Sequence, residues 1–245
     1  MENFISKSEA SKKVLKIAQM SANLPVNVLI LGQIGVGRKL LAKEILPTAQ
    51  AYDARVFEQL IIEDKIDLKK LNQVILYDIN KVLNKSQFLN YLNGIKIVAT
   101  GFAGADEYFE QFAVKIDILP LEERAEDLEE LITYYSNEAK KIYASNITSK
   151  DININLSGNG ITLKQSIYKS ILLKSITKQE LKDTLEEFFI KEFKVERSYK
   201  QLLEIFEIPL LKASKKVYKS QLQMAKKLNI NRITLRKKLN KYFGE

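Results

Sequence analysis

The stretch NVLILGQIGVGRKLLAKEIL, residues 27–46, constrains the fold more than any other part of the chain. Residues 26–31 form a short, almost wholly apolar run, the pattern of a strand buried at the centre of a parallel sheet. Gly32, Gly35 and Gly37 follow, with G-x-x-x-x-G spacing from Gly32 to Gly37 and then a cation, Arg38. Leu40, Leu41, Ile45 and Leu46 next fall on one side of a helix. Strand, glycine turn and helix in that order have the form of a phosphate-binding loop, whose backbone N–H groups cradle an anion at a helix start. The cation is arginine where such loops use lysine. Lys39 stands where many place Ser or Thr for a metal.

The pattern continues as an alternation. Further strands are expected at 56–62, 73–77, 95–100 and 114–119, and a helix at 12–20 leads to the first strand. Helical spacing between them, as at Phe88, Leu89 and Leu92, gives the β-α-β order of a parallel α/β sheet. Residues 126–144 turn helical. NINLSGNG at 153–160 breaks that pattern with turn residues, and helices follow at 163–176 and 178–194. The last stretch reads as helices at 199–217, 221–228 and 232–243, the final two separated by Asn-Ile-Asn. Two helices around so short a turn form a helix-turn-helix.

A chain of 245 residues is long enough for two compact units and a helical appendage. The absence of Cys excludes disulfides and thiolate metal sites, and the absence of His removes the commonest metal ligand and general base, so no metal site is expected. No apolar run approaches the roughly 20 residues of a membrane helix. The start, MENFISKSEASKK, lacks the apolar core of a signal peptide, so a cytoplasmic protein without membrane attachment is expected.

The formal net charge is +9. Residues 199–245 hold twelve Lys/Arg and three Asp/Glu, whereas the first 198 hold twenty-seven of each sign. The whole imbalance thus sits in the helix-turn-helix segment, which favours a polyanionic partner there over a merely solvated Lys-rich face. An anionic membrane surface is the lesser alternative.

On the final helix Leu235 and Leu239 stand four apart, with Tyr242 a turn further, and can face the core. Arg232, Arg236, Lys237 and Lys241 remain for the outer face, with Asn231 and Thr234 near its start. That suits a recognition helix, with polar residues first to read base edges and cations further along to hold phosphates. NRITLRKKLNKY closely resembles the recognition helix of the Fis-type helix-turn-helix, and Pro209-Leu210-Leu211 resembles the start of its preceding helix. The resemblance implies double-stranded DNA as partner. It places Asn231, Arg232, Thr234 and Arg236 at base edges or nearby phosphates, and Lys237, Lys238 and Lys241 on the backbone. The alternative is a basic hairpin docking another protein.

The remainder resembles NtrC-type enhancer-binding regulators, collinearly across almost the whole chain. Residues 4–45 resemble the opening of their AAA+ domain, VILYDINKVLNKSQFLNYL the Walker B strand and next helix, and IKIVATG the sensor I strand. ILPLEERAEDLEELITYY resembles the approach to the helical lid, and SGNGITLKQSIYKSILL the lid motif that carries a sensor II arginine. The resemblance implies residual nucleotide contacts at Gly32, Gly35, Gly37, Arg38, Lys39 and Asp78, with ATP or another nucleotide as the only cofactor it suggests. It also marks losses. Arg38 replaces the lysine, Ile79 the acidic residue that orients water, Gly101 or Phe102 the polar sensor, and Ile161 the lid arginine. The arginine fingers would fall near Gly104 and Glu110. Asp78 is left either to hold Mg²⁺ through water or to bond loop amides at the sheet edge. No GAFTGA-like segment occurs, and no receiver domain is expected ahead of the sheet.

These readings give an α/β, AAA+-like parallel-sheet domain with a helical lid, followed by an all-α Fis-type helix-turn-helix domain. The boundaries expected are 1–125 for the degenerate α/β part, 126–177 for the lid, 178–198 for a helical linker and 199–245 for the DNA-binding domain. The expected function is a DNA-binding transcription regulator, or a nucleoid-associated protein, without ATPase activity. The alternatives are a nucleotide-dependent switch or weak ATPase, and an adaptor docking other AAA+ subunits. Leu202, Leu203, Phe206 and Leu210 form a stripe that either seams a homodimer through the C-terminal helices or packs within one subunit. A higher oligomer would form through the AAA+-like domain.

Overall fold

The computed structural model describes residues 3–102, 111–143, 152–195 and 197–244. The chain divides into two compact units, Met1–Ser175 and Ile176–Glu245. No helix among the described residues is long and apolar enough to cross a membrane.

The first unit opens with α1 (Glu9–Ala22), capped by the Ser8 side chain, which accepts from the Ser11 N–H. Five parallel strands then form one sheet in the order β2-β3-β4-β1-β5. They are β1 (Val28–Gly32), β2 (Gln50–Asp53), β3 (Gln73–Tyr77), β4 (Lys96–Gly101) and β5 (Val114–Ile118). Between them run α2 (Arg38–Ile45), α3 (Ala54–Ile62) and α4 (Lys85–Tyr91). Apolar layers cover both faces. Leu29, Leu31, Leu76, Ile97 and Ala99 pack with Phe57 and Phe88 on one side, and Val28, Ile30, Ile75 and Val98 with Leu41 and Ile45 on the other. Central strands buried on both faces are why residues 28–31 and 74–76 read as unbroken apolar runs.

Residues 56–62, expected as a strand, are the body of α3. Asp53 caps that helix, its carboxylate accepting from the Arg55 N–H at 3.0 Å. Ala54, Phe57 and Glu58 face inward at helical spacing, while Val56 and Ile62 are exposed. The true strand, Gln-Ala-Tyr-Asp at 50–53, carries no apolar signature because it is the sheet's edge and is held by backbone pairing to β3 rather than by side-chain burial.

Two helices follow the sheet, α5 (Ala125–Ile142) and α6 (Asn159–Ser175). They share a core of Leu121, Ala139, Leu163, Ile167 and Ile171 with Leu128 and Ile132. The expected break at 153–160 ends earlier than anticipated, since α6 already begins at Asn159.

The second unit is wholly helical. It contains α7 (Lys178–Phe193), whose first turn is a Thr177–Glu180 capping box, and α8 (Tyr199–Val217), continuous through Pro209. Phe189 of α7 meets Phe206 of α8 with ring centroids 5.5 Å apart. Then come α9 (Gln221–Leu228) and α10 (Arg232–Phe243). Leu211, Met224, Ala225, Leu235 and Leu239 are buried together as their core, with Tyr242 packed against them.

Candidate functional site

In the first unit the glycine loop lies at the carboxyl ends of the parallel strands, the usual place for a ligand in an open α/β sheet. Gly32, Gly35 and Gly37 take φ of 149°, 82° and 108°. All three lie where an L side chain is strained, which accounts for glycine at each. Arg38 opens α2, yet its side chain turns inward and is only 8% exposed. Its Nη1 donates to the Gly101 carbonyl at 2.5 Å, and its Nη2 lies 3.5 Å from Asp78 Oδ1. The guanidinium also stacks over Phe102, 4.3 Å from the ring centre. Burial draws the Arg38 guanidinium below its ordinary value while Asp78 opposes that shift. A bidentate, planar cation suits this carbonyl–carboxylate–ring cage as a lysine would not.

Among the described residues no backbone N–H donates to the Asp78 carboxylate, and Asp78 makes no side-chain cap bond to the turn after it. It sits in the left-handed region at φ 54°, its own N–H donating to Thr100 Oγ1 at 3.0 Å. Its carboxylate pairs with Arg38 and, at 3.2 Å, with Lys81. Ile79 is fully buried in the core layer of Leu29, Phe57 and Leu76. Lys39 is exposed, its Nζ 4.6 Å from the Tyr77 ring centre. Gly101 ends β4 and gives its carbonyl to Arg38, and Ile161 is 49% exposed. Gly104 and Glu110 lie outside the described residues.

The loop's outer side is covered by the start of α6. Asn159 Nδ2 donates to the Ile34 carbonyl at 2.9 Å and to Gln33 Oε1 at 3.1 Å, and its Oδ1 accepts the Leu121 N–H at 2.7 Å. The Gly160 N–H donates to the Gly35 carbonyl at 3.1 Å. A Cβ on Gly35 would overlap the Gly158 carbonyl. From the other side, buried Arg124 donates to the Val36 carbonyl at 3.0 Å and pairs with fully buried Asp127 at 3.2 Å. Asp127 in turn accepts from Lys7 N, Ser8 N and Ser11 Oγ, so the segment carrying Phe4 is tied down beside Gly37. The cavity left among Phe4, Gly35, Gly37, Leu121, Tyr135 and Gly160 is about 70 Å³. Ligand clefts typically run to several hundred Å³.

Sequence reasoning did not single out Asn159, Arg124 or Asp127. Asn159 read as a turn residue between two glycines, and the only sign of the other pair was an Arg-x-x-Asp spacing, which a solvated helix face carries equally well.

In the second unit the turn between α9 and α10 is made by Asn229, at φ 51°, and by Asn231, whose Oδ1 caps α10 by accepting the Ile233 N–H at 2.8 Å. Asn231, Arg232, Thr234, Arg236 and Lys237 are all exposed while Leu235 and Leu239 are buried. Ile233, overlooked in the sequence, is 67% exposed on the same first turn. Lys238 and Lys241 differ. Lys238 is bonded to Glu207 of α8, and Lys241 lies 2.9 Å from Glu204. Tyr242 also donates to Glu207, at 2.5 Å, and Lys238 and Tyr242 together hold the Glu207 carboxyl below its ordinary range.

Residues 4–62 match the family described as the Sigma-54 interaction domain, a span that runs from the Phe4 segment through the glycine loop to the end of α3. A crystal structure of NtrX from Brucella abortus in complex with ATP superposes with a TM-score of 0.58 at 14% identity, over 97% of this chain and 68% of that one. The chain has the AAA+-like fold of NtrX. The NtrX complex with ADP gives a TM-score of 0.59 at 13% identity, over 98% of this chain and 69% of that one. A DNA replication initiation factor matches with a TM-score of 0.50 at 16% identity, over 91% of this chain and 83% of that one. At such identities the likeness to NtrX is one of fold. No curated protein matches the chain.

Proposed function

We propose that this protein is an NtrC-type regulator that has kept the AAA+-like scaffold and reads double-stranded DNA through a Fis-type α9–α10 helix-turn-helix. The observation that carries the reading is the division of α10. Leu235 and Leu239 anchor it, and Arg232, Thr234, Arg236 and Lys237 stand clear of the core on its amino-terminal half, where a recognition helix meets base edges. Ile233 supplies an apolar contact of the kind a thymine methyl accepts. A homodimer through the C-terminal helices, seamed along α8, presents two such helices to paired half-sites, and the sheet unit supports higher assembly. The protein acts in the cytoplasm.

In the same proposal the sheet unit does not hydrolyse ATP. Arg38 is engaged with Gly101, Asp78 and Phe102, Ile79 is buried, and the loop is covered by Asn159 and Gly160. Phosphoryl transfer needs a cation on the transferring phosphate and a polar group on the attacking water, and in this reading Arg38 and Ile79 supply neither. A second reading is favoured by one observation: the family match at 4–62 spans the whole loop, which keeps its glycine geometry at the start of α2. In that reading the lid swings off to admit a nucleotide that switches assembly or DNA affinity.

The experiment is fluorescence anisotropy of the protein on duplex DNA through a salt series, with and without Mg-ATP. Salt-sensitive binding that ATP leaves unchanged supports the first reading. An ATP-dependent shift in affinity or stoichiometry supports the second. Absence of DNA binding rejects the first reading and leaves a protein-docking adaptor or a nucleotide switch of assembly alone.

A further inference from the structure

Within residues 199–245 there are twelve cations and three carboxylates, and two of those carboxylates face the carboxyl-terminal half of α10. Glu204 and Glu207 stand three apart on α8, and Lys238 and Lys241 three apart on α10. They pair in opposite order, Glu207 with Lys238 and Glu204 with Lys241, so the two spacings match rung for rung. Tyr242 closes the arrangement on the second oxygen of Glu207. The inner pair is the better shielded, with side-chain exposures of 32% for Lys238 and 17% for Glu207, against 53% and 38% for Lys241 and Glu204. Arg232, Arg236 and Lys237 on the same helix make no ion pair with a described residue.

We propose that Glu204 and Glu207 are positioning residues that act as an internal counter-anion, holding Lys238 and Lys241 off the phosphate backbone and so setting the strength and salt dependence of DNA binding. The proposal rests on the reading of α10 as the DNA-recognition helix. A carboxylate already bound to an ammonium competes with a phosphate for the same charge, so the lysine displaces no counterion from the DNA. DNA affinity then comes from Arg232, Arg236 and Lys237.

The test is DNA affinity across a salt series for the full chain, Glu204→Gln, Glu207→Gln and the double variant. Each released lysine that reaches a phosphate steepens the log–log salt dependence by about 0.9, so the double variant is expected to bind several-fold tighter at low salt with a slope steeper by between one and two. A double-mutant cycle sharpens the result. Lys241→Ala is expected to leave the slope unchanged in the otherwise native chain and to flatten it by about one in the Glu204→Gln background. Glu204→Gln lies in the more exposed pair and gives this readout even if loss of Glu207 unfolds the helices. Native protein that binds DNA, with charge-neutralised variants that bind no tighter and no more salt-sensitively, overturns the proposal while leaving α10 as the reading helix. Native protein that binds no DNA, at any salt, overturns both.

Discussion

The side-chain amide of Asn159, on the first turn of α6, donates to the Ile34 carbonyl at 2.9 Å, across 125 residues of sequence. Its oxygen simultaneously accepts the Leu121 N–H at 2.7 Å, so one side chain fastens lid, glycine loop and the end of the β5 connection. Asn159→Ala leaves a buried donor at Leu121 unpaired, which costs about 1–3 kcal/mol. Urea unfolding followed by circular dichroism measures it, and a loss below about 0.5 kcal/mol would mean that Asn159 does not fasten the lid.

Gly35 and Gly94 separate close packing from backbone strain. Both have positive φ, 82° and 83°, but a Cβ on Gly94 meets nothing within 4 Å whereas one on Gly35 runs into Gly158. Gly94→Ala is expected to cost only the left-handed backbone term, about 1–2 kcal/mol. Gly35→Ala should cost at least about 1 kcal/mol more, since loop and lid must part. Equal melting temperatures for the two variants would contradict the lid contact.

Asp127 is fully buried and carries a pH dependence of stability. Burial pushes its carboxyl up, but hydrogen bonds from Ser11, Ser8 and Lys7 outweigh that and hold it below its ordinary 3.8. A depressed folded-state value stabilises the protein fully above the unfolded value and loses that stabilisation as pH falls through the folded one. Asp127→Asn, which leaves Arg124 buried without its counter-charge, is expected to cost about 3–5 kcal/mol at neutral pH. The gap between native and variant should narrow as pH drops below about 3.8, measured by urea titration at stepped pH; a gap independent of pH would place the stabilisation elsewhere.

Arg38→Lys tests the loop directly. In the native chain we expect millimolar Mg-ATP to leave the melting temperature unchanged, because the guanidinium is committed to Gly101 and Asp78. A lysine cannot make both contacts and is free to turn towards a phosphate. Ligand at a hundred times its Kd would stabilise the variant by about 2.7 kcal/mol, a readily seen shift. A shift already present in the native protein would favour the nucleotide-switch reading.

Arg236→Ala, on the exposed side of α10, is expected to weaken sequence-specific DNA binding by about 1–3 kcal/mol while leaving thermal stability within about 0.5 kcal/mol. Unchanged affinity for every duplex tried would move the reading surface off this helix.

Much of the secondary structure was legible where one period dominates. The strands at 73–77 and 114–118 and the helices Tyr199–Val217, Gln221–Leu228 and Arg232–Phe243 lie where side-chain spacing puts them, within a residue. The failures have a common cause. Val56 and Ile62 are apolar but exposed, so a helix looked like a strand, and the edge strand at 50–53 is made by backbone pairing that leaves no apolar trace. Of the site residues, the glycines were readable because only glycine relieves their backbone, and the exposed face of α10 because Leu235 and Leu239 fix its rotation. Asn159, Arg124 and Asp127 were not, because in each case a polar residue's worth depends on a partner more than a hundred positions away and on burial that spacing does not encode.

The sequence by itself determined the parallel α/β order, the glycine loop and the basic pair of helices α9 and α10, because each is written in local periodicity, local backbone freedom or a count of charges. Only the tertiary structure decided that Arg38 turns to Gly101 and Asp78, that α6 packs on the loop through Asn159, and that Lys238 and Lys241 are held by Glu207 and Glu204. Those are choices of partner, and a charged or amide side chain takes whichever partner the fold brings within hydrogen-bond reach.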